Sequence, residues 1–108
     1  MGASKNQFFP KNQNSTAHLC KALAHPARVA IVEHLVAVSR CIGDDFQVLI
    51  PLSQPSISRH LKELTSAGLI SYTFENNSYI YEIHPLALNM LHTYFKSITS
   101  NFTFDYIS

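Results

Sequence analysis

The hydrophobic period of this chain changes at Gly68, and that change limits the folds open to it. Before Gly68, apolar residues recur every three or four positions, as on one face of a helix. After it, residues 69–74 and 79–83 are rich in aromatic and β-branched types, the habit of strands. Between those two runs lies Glu75-Asn76-Asn77-Ser78; Asn tolerates positive φ, so a hairpin turn is expected there. A glycine at the junction suits a helix that must stop abruptly.

The helical part divides at its caps and prolines. Ser15 and Thr16 are cap types ahead of Leu19, Ala22 and Leu23, which predicts a first helix to about Ala24. Pro26 suits the first turn of a second helix ending near Val38, with Val29, Val32, Leu35 and Val36 as its stripe. Residues 42–50 predict a short third helix, with Asp44 and Asp45 at its start and Phe46, Leu49 and Ile50 facing inward; Pro51 stops it. Ser53 caps a fourth helix that runs to about Ala67 over Ile57, Leu61 and Leu64. Pro85 opens a last helix, with Leu88, Leu91, Phe95 and Ile98 along one face.

The expected fold is therefore mainly α with a β-hairpin wing, in the order α-α-α-α-β-β-α: a winged helix-turn-helix. Residues 1–14, rich in Asn, Gln and Lys, are expected to form a flexible arm, with Phe8, Phe9 and Pro10 available to dock on a surface. The domain is assigned to residues 15–98 and a tail to 99–108. At 108 residues the chain suits one domain, and 46% hydrophobic content excludes a mainly disordered one. No run approaches the roughly 18–20 apolar residues of a membrane span, and residues 1–14 lack the apolar core of a signal peptide. Two cysteines are too few for a disulfide scaffold. A cytoplasmic domain is expected, with no membrane partner.

A net charge of +1 does not announce a polyanion partner. Positive charge must then be local, and the fourth helix supplies it. Taken at 100° per residue, Leu61 and Leu64 lie within about 60° of Ile57, while Pro55, Arg59 and Lys62 lie opposite. Ser56 and Ser58 flank this polar face, and Gln54 stands at the helix start. A helix in the major groove needs that division: an apolar back holding the domain, with donors in front. Arg grips guanine bidentately and Gln grips adenine, while Ser hydroxyls take phosphate oxygens. The competing explanation is an ordinary solvated face; the helix-turn-helix context and the Ser-rich, acid-free tip weigh against it. In the wing, Asn77 and its neighbours could touch DNA, but no Lys or Arg stands at the tip and Glu75 would be repelled.

These residues carry a resemblance. Ala22-Leu23-Ala24-His25-Pro26-Ala27-Arg28, Ile42-Gly43-Asp44, the run from Leu52 through Ser53-Gln54-Pro55-Ser56-Ile57-Ser58-Arg59-His60-Leu61-Lys62-Glu63-Leu64, and Ala67-Gly68-Leu69-Ile70 resemble the ArsR/SmtB family of bacterial winged-helix repressors. The resemblance covers roughly residues 17–98. It implies a homodimer, paired through first and last helices, on an imperfectly two-fold symmetric operator on double-stranded DNA. An effector, often a metal ion, tunes that binding. Carried over position by position, the DNA-reading residues are Gln54, Ser56, Ser58 and Arg59; face chemistry adds Lys62, and the wing adds Asn77. The apolar stripe of Leu88, Leu91, Tyr94, Phe95 and Ile98 is the expected dimer seam.

The family's metal motifs are incomplete. Where one resembles Cys-Val-Cys-Asp, this chain has Cys41-Ile42-Gly43-Asp44, leaving Cys41 and Asp44 as weak candidates. Where another opens the last helix with Asp-x-His, this chain has Pro85-Leu86-Ala87. Zinc takes at least three protein ligands, so no metal cofactor is expected. Cys20 is expected to be a small core hydrophobe, His25 a cap or packing residue, and His60 a packed or hydrogen-bonded one. A Cys20–Cys41 thiol switch has no distance to support it. No nucleophile motif or phosphate loop is present, so no enzyme is expected. The rival to DNA binding is a winged-helix module that binds protein.

Overall fold

The computed structural model describes residues 5–103. The ends of the expected arm and tail, residues 1–4 and 104–108, lie outside the described residues. Five helices and three strands follow in the order α1 (Lys11–Ala22), α2 (Pro26–Val38), β1 (Arg40–Ile42), α3 (Phe46–Leu49), α4 (Gln54–Ser66), β2 (Ile70–Glu75), β3 (Ser78–Ile83) and α5 (Pro85–Thr99). Short 3-10 turns occupy Lys5–Phe8 and Gly43–Asp45.

The ends of α4 are both chemically specified. At its start the Ser53 hydroxyl accepts from the Ser56 N–H, and Pro55 lies in the first turn where no intrahelical donor is needed. At its end Gly68 takes φ +82, with nothing within 4 Å of the position a Cβ would fill. Its N–H donates to Thr65 O at 3.0 Å, and the Leu69 N–H donates to Leu64 O at 3.1 Å. That pair of bonds is a Schellman closure, and Leu64 and Leu69 seal it from the core side, both fully buried.

Hairpin β2–β3 turns on Asn76 and Asn77, at φ 51 and 62. Two successive left-handed residues match the twist of the flanking strands, which is why Asn pairs recur there. The register runs from Ile70 opposite Ile83 to Glu75 opposite Ser78. β1 adds itself to the free side of β3, with Cys41 opposite Tyr81, giving the sheet order β1-β3-β2. β1 was not expected; three residues are too few for an alternating pattern to register.

The core gathers Leu19, Ile31, Leu35, Phe46, Ile57, Leu61, Leu64, Leu69, Ile70 and Leu91. The α4 stripe is as expected, but four assignments shift. α1 begins at Lys11 rather than after Ser15, because Pro10 O accepts from Gln13 and Asn14 N–H and so opens the helix earlier. Thr16 then lies inside it, its hydroxyl donating back to Asn12 O at 2.9 Å. In α2 the buried set is Ala27, Ile31, Val32 and Leu35, whereas Val29 and Val36 are exposed. The buried face is thus the one that carries Ile31, which is fully buried, a choice that an almost wholly apolar sequence leaves open. Cys20 is exposed, on the face of α1 opposite the core residues Leu19 and Ala22, rather than buried. In the third helix Phe46 and Ile50 face inward, while Leu49 does not.

Leu64→Ala removes a fully buried side chain from this core and is expected to cost about 2–5 kcal/mol. Val48→Ala, at a position 87% exposed, is expected to change stability by less than about 0.5 kcal/mol. Urea unfolding of both variants checks the contrast.

Candidate nucleic-acid interface

Burial of Ile57, His60, Leu61 and Leu64 turns the opposite side of α4 to solvent, and Gln54, Ser58, Arg59 and Lys62 are exposed there. Gln54 Nε2 donates to Ser58 Oγ at 3.0 Å, so these two amide and hydroxyl groups move as one polar unit. Ser56 is different. It is half-buried, its N–H and hydroxyl are both engaged with Ser53 Oγ, and its role is in the cap. Arg59 and Lys62 form no ion pair among the described residues, so both cations are available to a partner.

The wing stands beside α4 and the two enclose a groove of about 570 Å³. Gln54, Ser58 and Lys62 line it from α4, and Asn77, Tyr72 and Tyr79 from the wing, with Asp44 the acid among the lining groups. Four of the six expected DNA-binding residues are thus brought together; Ser56 and Arg59 lie outside the groove. The expected repulsion from Glu75 is moderated, because Arg40 on β1 donates to its carboxylate at 3.3 Å and the Thr73 hydroxyl at 3.0 Å. Arg40 also pairs with Glu82 at 3.2 Å. These groups are about half-exposed, so the pairing redistributes charge more than it stabilises.

Behind the exposed face a polar cluster fixes α4 against α2. His25 caps α2, its Nδ1 accepting from the Ala27 N–H at 3.0 Å. Arg28 Nε donates to His60 Nδ1 at 3.1 Å, and the two imidazole rings lie 4.3 Å apart. His60 must be neutral to accept that bond. Its burial holds its pKa below the ordinary 6.5, and His25, Arg28 and Arg59 lower it further.

The weak metal candidates are separated by function. Asp44 lines the groove, whereas Cys41 is buried on β1 with its thiol donating to Ile42 O. Burial, then the nearby Asp45 carboxylate, raises the Cys41 pKa, which favours the thiol over the thiolate that metals take. No group of three or more His, Cys, Asp or Glu among the described residues is placed to hold a metal ion.

Relatives share this architecture. An uncharacterized HTH-type transcriptional regulator of Mycobacterium tuberculosis is 36% identical over 67 residues, covering 62% of this chain and 59% of its own. The HTH-type transcriptional repressor SmtB of the same organism is 34% identical over 76 residues, covering 68% of this chain and 56% of its own. The matches thus span less than two thirds of these two relatives. A third M. tuberculosis HTH-type regulator is 36% identical across 68% of this chain and 67% of its own. The chain belongs to the ArsR/SmtB-like family of helix-turn-helix transcriptional regulators. A crystal structure described as a possible transcriptional regulator for arsenical resistance superposes with a TM-score of 0.67 at 28% identity, covering 76% of this chain and 83% of the other. The fold is also that of an ArsR-like regulator from Rhodococcus sp. RHA1, with a TM-score of 0.75 at 20% identity over 85% and 86% of the two chains. No family model matches the chain. The ArsR/SmtB-like family comprises regulators, not enzymes. No described helix is long and apolar enough to cross a membrane.

The signals missed in the sequence are Arg28 and the wing tyrosines. Nothing local marks Arg28, whose partner is 32 residues away. The tyrosines stand out in the sequence as strand aromatics, and nothing local marks them as groove-lining residues.

The His60 environment sets a pH dependence. Between the lowered pKa of the folded state and the ordinary 6.5, the unfolded chain binds more protons than the folded one. Stability should therefore fall as pH drops through 6.5 and level off below the folded-state pKa, with this group adding a slope of at most about 1.4 kcal/mol per pH unit. His60→Gln, whose amide oxygen can still accept from Arg28, should flatten that slope. Thermal unfolding between pH 5 and 8 measures it (a range of about three units that brackets the histidine pKa).

Proposed function

We propose that this chain is a transcriptional repressor that binds, as a homodimer, an operator of imperfect two-fold symmetry on double-stranded DNA. The observation that carries the proposal is the division of α4: an apolar back packed in the core, and a solvent face on which Arg59 and Lys62 have no ion-pair partner among the described residues. Arg59 lies nearer the helix start, where base edges are reached. Lys62 lies one turn back, beside the phosphate backbone.

The homodimer rests on α5. Of its fifteen residues only Ala87 and Leu91 are buried, while Leu86, Met90, Tyr94, Phe95 and Ile98 are exposed. Leu91 is thereby removed from the expected seam and given to the protomer's own core, and Leu88 packs partly against that core. Phe8 and Phe9, 72% and 56% exposed, add apolar surface near the start of α1. So many large apolar side chains exposed on one helix mark a surface that a partner covers. A second copy would cover it and set two α4 helices about 34 Å apart, one turn of duplex. We further propose that no metal is held at the start of α5, where Pro85, Leu86 and Ala87 offer no ligands. A cytoplasmic location accords with this function.

Arg59→Ala is expected to cost about 1–3 kcal/mol on the operator and to relax preference at one base position. Lys62→Ala is expected to weaken binding to every duplex and to reduce the salt slope by about one unit. Salt-dependent isotherms on operator and random duplex test both. Unchanged affinity in folded variants would leave the low net charge to favour a protein-binding module instead. Sedimentation at micromolar concentration is expected to give a dimer; a single species near 12.1 kDa would refute it.

A further inference from the structure

We propose that the groove between α4 and the wing holds one sugar–phosphate strand of duplex DNA, with Tyr72 and Tyr79 as DNA-contacting residues on its uncharged wall. The proposal rests on the DNA-binding function above and adds contacts that the cationic face of α4 does not supply. A helix seated in the major groove and a hairpin reaching the adjoining minor groove must straddle the strand that separates the two grooves. In this molecule the space between helix and hairpin is the 570 Å³ groove.

Its two walls differ in chemistry. From α4 come Lys62, Gln54 and Ser58, a cation and two neutral hydrogen-bonding groups. From the wing come Tyr72 and Tyr79, each 50% exposed, and no cation. The wing rings are not loose. Phe74 and Tyr79 lie 4.8 Å apart, Tyr79 and Tyr72 5.3 Å, Tyr72 and Tyr81 5.8 Å, and Tyr81 and the fully buried Phe46 6.1 Å. A continuous line of rings therefore joins the wing to the core and presents a preset surface. Such rings carry an apolar body and a hydroxyl tip. The body packs on deoxyribose and the hydroxyl donates to a phosphate oxygen, a positioning contact that carries no base information. Asp44 is the acid lining the groove, and Lys62 is the cation that lines it.

This division has a measurable signature. Only charged contacts release counterions and steepen the salt dependence. The tyrosines should contribute affinity without contributing slope. Mixed-sequence duplex DNA is a sufficient probe, because the contacts are to the backbone. The double variant Tyr72→Phe/Tyr79→Phe keeps the ring contacts and removes the hydroxyls; it is expected to bind about three- to tenfold more weakly with the wild-type salt slope. Tyr72→Ala/Tyr79→Ala should bind more weakly still. Lys62→Ala should instead lower the slope by about one unit. The chain has no Trp and five Tyr, so tyrosine emission gives a second readout: DNA should perturb it in the wild type and much less in the Phe double variant. Circular dichroism confirms folding, and the Phe pair serves if the Ala pair does not fold. Wild-type affinity in the Phe pair, with an unaltered emission response, would overturn the proposal while a weakened Lys62→Ala kept α4 on DNA. A reduced slope in the tyrosine variants would also overturn it. Failure of the wild type to bind any duplex would remove the underlying function itself.

Discussion

Everything in this molecule depends on the burial of one side of α4. Ile57, Leu61 and Leu64 are nearly inaccessible, and the Schellman closure at Gly68 passes the chain straight from that helix into the wing. The apolar contact fixes the roll of the helix, and the roll decides which side chains meet solvent. Burying roughly three such side chains is worth several kcal/mol, far more than any surface pair nearby. Orientation of the charged face is thus a by-product of core packing, and the face itself can change without disturbing the fold.

A polar contact refines that packing. Apolar surfaces slide past one another at little cost, whereas the Arg28–His60 bond accepts one relative position of α2 and α4. Because the Arg28 guanidinium also reaches Ala22 O, at 3.4 Å, one side chain ties the end of α1, the body of α2 and the buried side of α4. The chain spends two of its scarce cations in this way, Arg28 on helix packing and Arg40 on the wing's carboxylates. Of the cations that remain, Arg59 and Lys62 stand together on the solvent face of α4.

Much of this is legible in the sequence. Cap chemistry at Ser53, the glycine at 68 and the Asn76-Asn77 turn are local signals, set by backbone conformations few residues tolerate, and each locates its element closely. The α4 stripe is legible because polar residues separate its apolar ones. The α2 stripe is not: where nearly every residue is apolar, periodicity cannot choose a face, and Ala27 and Ile31 are buried where Val29 and Val36 are expected. At the candidate site, Gln54, Ser58, Lys62 and Asn77 could be named from chemistry and position. The groove that joins them could not, since it exists only once hairpin and helix are set side by side. Pairings across 30 or more residues, such as Arg28 with His60 and Arg40 with Glu75, leave no trace in a single sequence.

The sheet order also has a consequence for handling the protein. β1 covers one side of β3, and β2 covers the other, so that β2 is the longer of the two outer strands of the sheet. Its free backbone donors and acceptors run along Ser71-Tyr72-Thr73-Phe74, a stretch of strong strand formers without a charge until Glu75. Natural sheets guard such margins with lysine, proline or a bulge. Here the guard is one glutamate, already occupied by Arg40. With an isoelectric point near 7.9, the chain has least mutual repulsion in mildly alkaline buffer. Concentrated solutions near that pH therefore favour strand-to-strand association through the wing, and acidic or basic solubilising conditions oppose it.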